Sequence, residues 1–183
     1  MMHRINVFFL VAAFAFLFSC HKGKNNPESC NGDNRREVKL MTDVLAPEID
    51  TAAIFTTIDS LGGIPVPEVK GETGRLDLEK KVFTVRCRVD EIKKCRDGDY
   101  HLRLISGEDS YLITEAPNPG CDYAQQSAWH NTFISVRNFI ESNDLEGKTV
   151  TITGVAFVDI DHHYKRKQAK NNLELHPILK ISF

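Results

Sequence analysis

Residues 83–89 read Phe83-Thr84-Val85-Arg86-Cys87-Arg88-Val89. Apolar side chains at 83, 85, 87 and 89 alternate with polar or charged ones at 84, 86 and 88. A strand sends successive side chains to opposite faces, so this segment has one buried face and one wet face. The chain beyond it reads in the same way. Arg96-Asp97-Gly98-Asp99 marks a turn, Asp-Gly being a strong hairpin cue. A second strand follows over residues 100–105, with Leu102 and Leu104 inward. Gly107-Glu108 turns the chain into a third strand over residues 110–115, and Pro117-Asn118-Pro119-Gly120 stops it.

The period then changes. Trp129, Phe133, Val136 and Ile140 fall at helical spacing, with Asn131, Arg137 and Glu141 on the other face, which predicts an amphipathic helix of about four to five turns. Val150 and Ile152 alternate with three threonines in a fourth strand running to Phe157. After a polar loop, 161–172, the residues Leu173, Leu175, Leu179, Ile181 and Phe183 mark a fifth, whose Pro177 calls for an edge position or a bulge. Three strands, a helix and two strands is the order of the OB-fold. The expectation is therefore a mainly β domain over 81–183, a five-stranded OB-fold-like Greek-key barrel with one helix between strands three and four. A small mixed sheet with one helix is the plainer alternative.

Ahead of this domain lie three further segments. Residues 36–80 are an N-terminal extension packed on the barrel, in which Pro47-Glu48-Ile49-Asp50 opens a short helix and Thr57–Leu61 forms another turn stopped by Gly62-Gly63. Residues 20–35 are a polar tether with almost no aliphatic side chain. Residues 1–19 carry Arg4, the apolar stretch 7–18 and then Ser19-Cys20. This stretch is shorter than the roughly 20 apolar residues a spanning helix needs. It resembles the lipobox of bacterial lipoproteins, although Phe18 stands where a small residue is usual. The resemblance implies cleavage before Cys20, acylation of its sulfur and anchoring to a membrane. An ordinary secretory signal and a retained anchor are the rivals. His21, rather than aspartate, after the lipid cysteine leans toward outer-membrane sorting.

The stretches Asp97-Gly98-Asp99-Tyr100-His101-Leu102, Thr153-Gly154-Val155 and Glu174-Leu175-His176-Pro177 carry a second resemblance. They are similar to an uncharacterised family of small bacterial secreted or lipoprotein OB-fold-like domains with DGDxHL, TGV and ELHP motifs. The likeness spans most of residues 75–183 and implies a domain boundary rather than an activity. The basic loop before strand five departs from that family's pattern.

Lipidation of Cys20 leaves Cys30, Cys87, Cys95 and Cys121. An oxidising compartment permits disulfides. Cys95 and Cys121 fall at the same end of neighbouring strands and are the expected pair, contributing about 3 kcal/mol. Cys87 points into the core. With 23 basic and 25 acidic residues, the chain has no global field that steers it to nucleic acid. Local patterning is richer. Following the strands up and down places the loops 93–98, 117–121 and 161–172 on one rim. That rim gathers Lys93, Lys94 and Arg96 with Tyr164, Lys165, Arg166, Lys167 and Lys170, continued by Arg86 and Arg88 on strand one. OB-folds bind oligonucleotides and oligosaccharides with the corresponding loops, and Tyr100, Tyr111 and Tyr164 are candidates for stacking on bases. The acids Asp90, Glu91, Asp97, Asp99 and Asp161 are interleaved, so a merely solvated surface is the plainer reading.

Among catalytic candidates are His101, Asp159, His162, His163, Glu174 and His176. Asp159, His162, Glu174 and His176 form the candidate metal set, since imidazole and carboxylate together suit a first-row metal that activates water. Their spacing fits no established template, and no nucleophile elbow occurs. The sequence requires no cofactor; a divalent metal is the one candidate. The functional expectation is a lipid-anchored cell-envelope binding module for an anionic polymer or an envelope protein. Partners considered are the membrane, nucleic acid, oligosaccharide and envelope protein. A metal-dependent phosphodiester hydrolase or nuclease, and a structural lipoprotein subunit, are the alternatives.

Overall fold

The computed structural model describes residue 30 and residues 35–161 and 169–183. Its strands are β1 (Asp50–Thr56), β2 (Lys81–Lys94), β3 (Tyr100–Ile105), β4 (Tyr111–Ala116), β5 (Thr149–Val158) and β6 (Leu173–Ser182). They form one sheet in the order β1-β2-β3-β4-β6-β5, and a further β2–β5 pairing closes β2 to β6 into a five-stranded barrel. This is the OB-fold-like order expected from the chain. Among the described residues four α-helices accompany it: α1 (Arg36–Lys39), α2 (Ile58–Gly62), α3 (Asp122–Gln125) and α4 (His130–Ser142). Of these, α4 is the amphipathic helix between strands, and it buries Phe133, Val136 and Ile140.

The length of β2 makes closure possible. Its first half pairs with β5, from Val82↔Val155 to Cys87↔Val150, and its second half with β3, from Arg88↔Ile105 to Lys94↔Tyr100. The register shifts between Val89 and Glu91, where the strand leaves one partner for the other. Alternation keeps Val85, Cys87 and Val89 inside and Arg86 and Arg88 outside, as periodicity requires. Pro177 sits at a bulge: between Gly154↔Ile178 and Ala156↔Leu175, two steps along β5 match three along β6. Gly154 is needed there, because a Cβ on it would fall 2.9 Å from Leu175 Cβ and 3.0 Å from the Pro177 carbonyl oxygen.

Two expectations about the path of the chain are corrected. β5 runs antiparallel to β2, so its C-terminal end is level with the start of β2 and not with Lys94. Asn171 Nδ2 accordingly donates to Leu61 O and Ile64 O (both 2.8 Å), and Lys170 lies beside Gly62, so both pack on α2. That helix neighbours the start of β4, where Asp59 hydrogen-bonds Ser110. Lys170 therefore does not join Lys93 and Lys94 at the β2–β3 turn. Tyr164, Lys165, Arg166 and Lys167 lie outside the described residues. Secondly, Pro47 and Glu48 make only a 3-10 turn, Ala46–Glu48, and residues 50–56 form β1, parallel to β2. No face of β1 is buried, so no periodicity announces it. The second turn of helix is where it was expected, with Thr57 Oγ1 accepting from Ser60 N at 3.1 Å.

The extension is bound tightly to the barrel. Leu40, Met41 and Ile49 share an apolar cluster with Val82, Phe133 and Val155. Cys121 is disulfide-bonded to Cys30, 91 residues away, and not to Cys95. The expected pair is therefore wrong: strand topology brings loops near one another but says nothing about a polar segment laid across them. Cys87 is buried and free, as its inward position on β2 implied. Cys20 lies outside the described residues.

Candidate functional site

One end of the barrel gathers chemistry from four elements. Hairpin register sets the first pair: His101 on β3 stands directly opposite Glu115 on β4. His101 Nε2 lies 2.6 Å from Glu115 Oε1. β4 then pairs in parallel with β6 through Thr114↔Leu175, which brings His176 beside Glu115. His176 Nδ1 lies 2.8 Å from Glu115 Oε2. Asp99 comes from the β2–β3 turn. Ligand atoms of Asp99, Glu115 and His176 all lie within 4.8 Å of one another.

The turn that delivers Asp99 is held rigidly. Gly98 has φ 90°, and a Cβ on it would meet Asn118 Nδ2 at 2.5 Å, so glycine is required. Asn118 N donates to Asp99 Oδ1 at 2.7 Å. Arg137 of α4 donates to Gly98 O at 2.9 Å and stacks on Tyr100, 4.6 Å from the ring centroid. Lys94 sits over the same ring. Tyr100 is thus engaged by two cations, and Tyr111 is buried with its hydroxyl on Glu108 O, so neither offers a free ring for base stacking.

Above the cluster lies α1. Lys39 Nζ is 4.0 Å from Glu115 Oε2 and sits over Phe157, whose ring also meets the Arg35 guanidinium at 4.9 Å and the His176 ring at 5.6 Å. A small cleft beside it is lined by Arg36, Lys39, Leu40, Asp97 and Asp99.

The protonation states follow from this packing. Burial alone would raise the Glu115 carboxyl, but the charges of His101, Lys39 and His176 outweigh it and hold Glu115 well below the ordinary carboxylate range. Burial disfavours the His101 imidazolium, yet the Glu115 charge and hydrogen bond win and its pKa is raised. For His176 burial wins, with the charges of Lys39 and His101 acting in the same direction, and the pKa falls. Asp99 is pushed up to about 7 by burial and then by the charges of Asp97 and Glu115. The result is an anionic carboxylate beside a neutral imidazole, the protonation states a metal ion binds.

Of the candidate metal set, only His176 belongs to this group. Asp159 and Glu174 are not members of it, and His162 and His163 lie outside the described residues. His101, named among the catalytic candidates, is brought in through Glu115. Glu115 and Asp99 were missed. Glu115 was accessible in principle, because a hairpin turning at Gly107-Glu108 with Ile105 opposite Tyr111 places it across from His101. Asp99 and His176 both sit in the motif stretches that carried the second resemblance.

The basic candidates on β2 are dispersed. Lys93 pairs with Glu91 at 3.0 Å, while Arg86 reaches Thr151 Oγ1 at 3.4 Å. Arg88 is exposed, and Arg96 lies in the turn. The fold is thus an OB-like barrel with a covered histidine–carboxylate cluster at one end, and no family model, curated protein or solved structure matches the chain.

Proposed function

We propose that this protein is a lipid-anchored binding module of the bacterial cell envelope, tied to the membrane through Cys20, that docks an envelope protein along β1. The observation that carries the docking is the free edge of that strand. Among the described residues β1 ends the sheet order and pairs only with β2. Its side chains are exposed, including Ile54 (48 %) and Phe55 (71 %). Native proteins usually blunt such an edge with charge, proline or a covering segment. An extended partner segment adding to it gains main-chain hydrogen bonds along the strand and apolar contact with Phe55. The lipobox-like residues support the anchor.

Of the two ligand classes expected from the sequence, the protein partner is the better supported. At the β2–β3 end Lys93 is paired with Glu91, Arg103 with Asp90 and Glu91, and Lys94 lies on Tyr100. Cations already neutralised contribute little to capture of an anionic polymer. The test is a photo-crosslinking residue placed at Phe55 in growing cells, with the exposed turn residue Glu108 as control. One adduct of discrete size at position 55 and none at 108 is the expected result. Equal or absent adducts at the two positions would remove the β1 reading.

A further inference from the structure

We propose that Asp99, Glu115 and His176 bind a divalent first-row transition-metal ion, with His101 as a positioning residue that fixes the carboxylate of Glu115. The site is distinct from the β1 edge.

The argument starts from unmade bonds. His176 is 1 % exposed, yet neither of its ring nitrogens has a hydrogen-bond partner. Glu115 Oε2 has none either. Buried polar atoms are nearly always satisfied, so three orphans on two touching side chains call for an explanation. His176 Nδ1 and Glu115 Oε2 are 2.8 Å apart but do not meet hydrogen-bond geometry. That contact is short enough for the two groups to attract each other, but its angle is poor, and His176 Nε2 is left with no partner at all. Asp99 supplies the remaining donor, its ligand atom within 4.8 Å of both. Donors held at about 2.0–2.2 Å from a tetrahedral ion lie about 3.3–3.6 Å apart, so the widest pair must close by roughly 1 Å, a side-chain rotation of Asp99 in its turn.

The surroundings match a metal site in two more respects. First, His101 holds Glu115 Oε1, leaving Oε2 for the ion, an outer contact of the sort that orients ligating carboxylates. Second, a small cleft open to solvent is lined by Asp99 together with Arg36, Lys39, Leu40 and Asp97, so one donor of the set faces a path of entry. One nitrogen and two carboxylates favour zinc, manganese or iron(II) over a soft-metal assignment. Lys39 is the competing cation, 4.0 Å from Glu115 Oε2. Its ammonium offsets the same negative charge and opposes entry of a second positive centre.

The experiment uses the full chain, stripped with chelator and dialysed against Zn(II) alone, with Mn(II) in a parallel series. Bound metal is counted by mass spectrometry, and Co(II) loading is read by visible absorption. The expected result is one ion per chain and a cobalt spectrum of mixed nitrogen and oxygen donors. Asp99→Asn and His176→Gln should each weaken binding tenfold or more, and Lys39→Met should tighten it. Asp99→Asn alters a partly buried turn residue and keeps an acceptor for Asn118 N, so it tests the site even if His176→Gln fails to fold. Wild-type protein that retains no ion overturns the proposal. So does metal affinity unchanged in Asp99→Asn with the near-ultraviolet circular dichroism of the wild type.

Discussion

Two buried ionic clusters lie under the same N-terminal extension, and they are built in opposite ways. Arg35 and Glu79 form one. Every donor of the Arg35 guanidinium is used: Nε on Thr73 O, Nη1 on Glu79 Oε1 and Val158 O, Nη2 on Gly74 O and Glu79 Oε2. Glu79, fully buried, also accepts from Leu76 N and Val158 N. Nothing is left over. Glu115 and His176 form the other, and there three polar atoms have no hydrogen bond. The first cluster is closed and fastens the extension to the end of β5. The second is open and waits on something from outside. Burial is nearly the same in both, so it is the completeness of bonding that separates a brace from a site.

The largest test of this contrast is Glu79→Ala. It leaves the Arg35 charge buried without a counter-ion, which costs about 3–5 kcal/mol. Urea unfolding monitored by fluorescence of Trp129 should show the midpoint falling accordingly. A loss below about 1 kcal/mol would mean water reaches Arg35 and the brace is not closed. Next comes the covalent fastening. Serine at both Cys30 and Cys121 removes a cross-link spanning 91 residues of sequence, and the expected loss is about 2–4 kcal/mol in the same assay. Reduction of the wild type should lower its midpoint by a similar amount.

His176→Phe comes third in the metal-free protein. It exchanges an imidazole with no hydrogen bonds for a somewhat larger apolar ring facing Phe157. The expected cost is about 1–3 kcal/mol, that of added volume in a packed core and less than the loss of a buried counter-ion. A loss as large as that of Glu79→Ala would erase the distinction, since His176 would then be bracing the barrel through Glu115.

The sequence carried the closed barrel where its strands bury one face and wet the other. Val85, Cys87 and Val89 on β2, or Leu102 and Leu104 on β3, alternate with wet neighbours. β1 escaped notice for the converse reason: Asp50–Thr56 buries neither face and is held only by main-chain pairing to β2. The direction of β5 escaped because β2 is long enough to serve two partners at different heights, which no count of ups and downs reveals. Cys30 and Arg35 looked like tether because a polar composition gives no sign that a guanidinium will be swallowed whole by Glu79 and three carbonyls. His101 and His176 stood out as residue types. Glu115 did not, since a lone acid at a strand end resembles any surface acid until the hairpin register sets it against His101.

Cys87 gives the smallest effect and calibrates the comparison, being a buried titratable group with no charged partner at all. Burial alone pushes its thiol up to about 12. The thiolate is the reactive form, so alkylation of the native protein at pH 8 should be negligible at Cys87 and should become rapid in urea. The linkage sign is fixed by the same shift. Below the unfolded pKa the thiol is neutral in both states and stability does not depend on it. Above that value the unfolded chain ionises first, and this contribution declines as pH rises toward 12. Cys87→Val, close in volume and equally apolar, should move the urea midpoint hardly at all. Rapid native labelling of Cys87 would show that this part of the core opens to solvent. In that event the orphaned atoms of His176, a few strands away, would have water for a partner, and the contrast between the closed cluster and the open one would lose its physical basis.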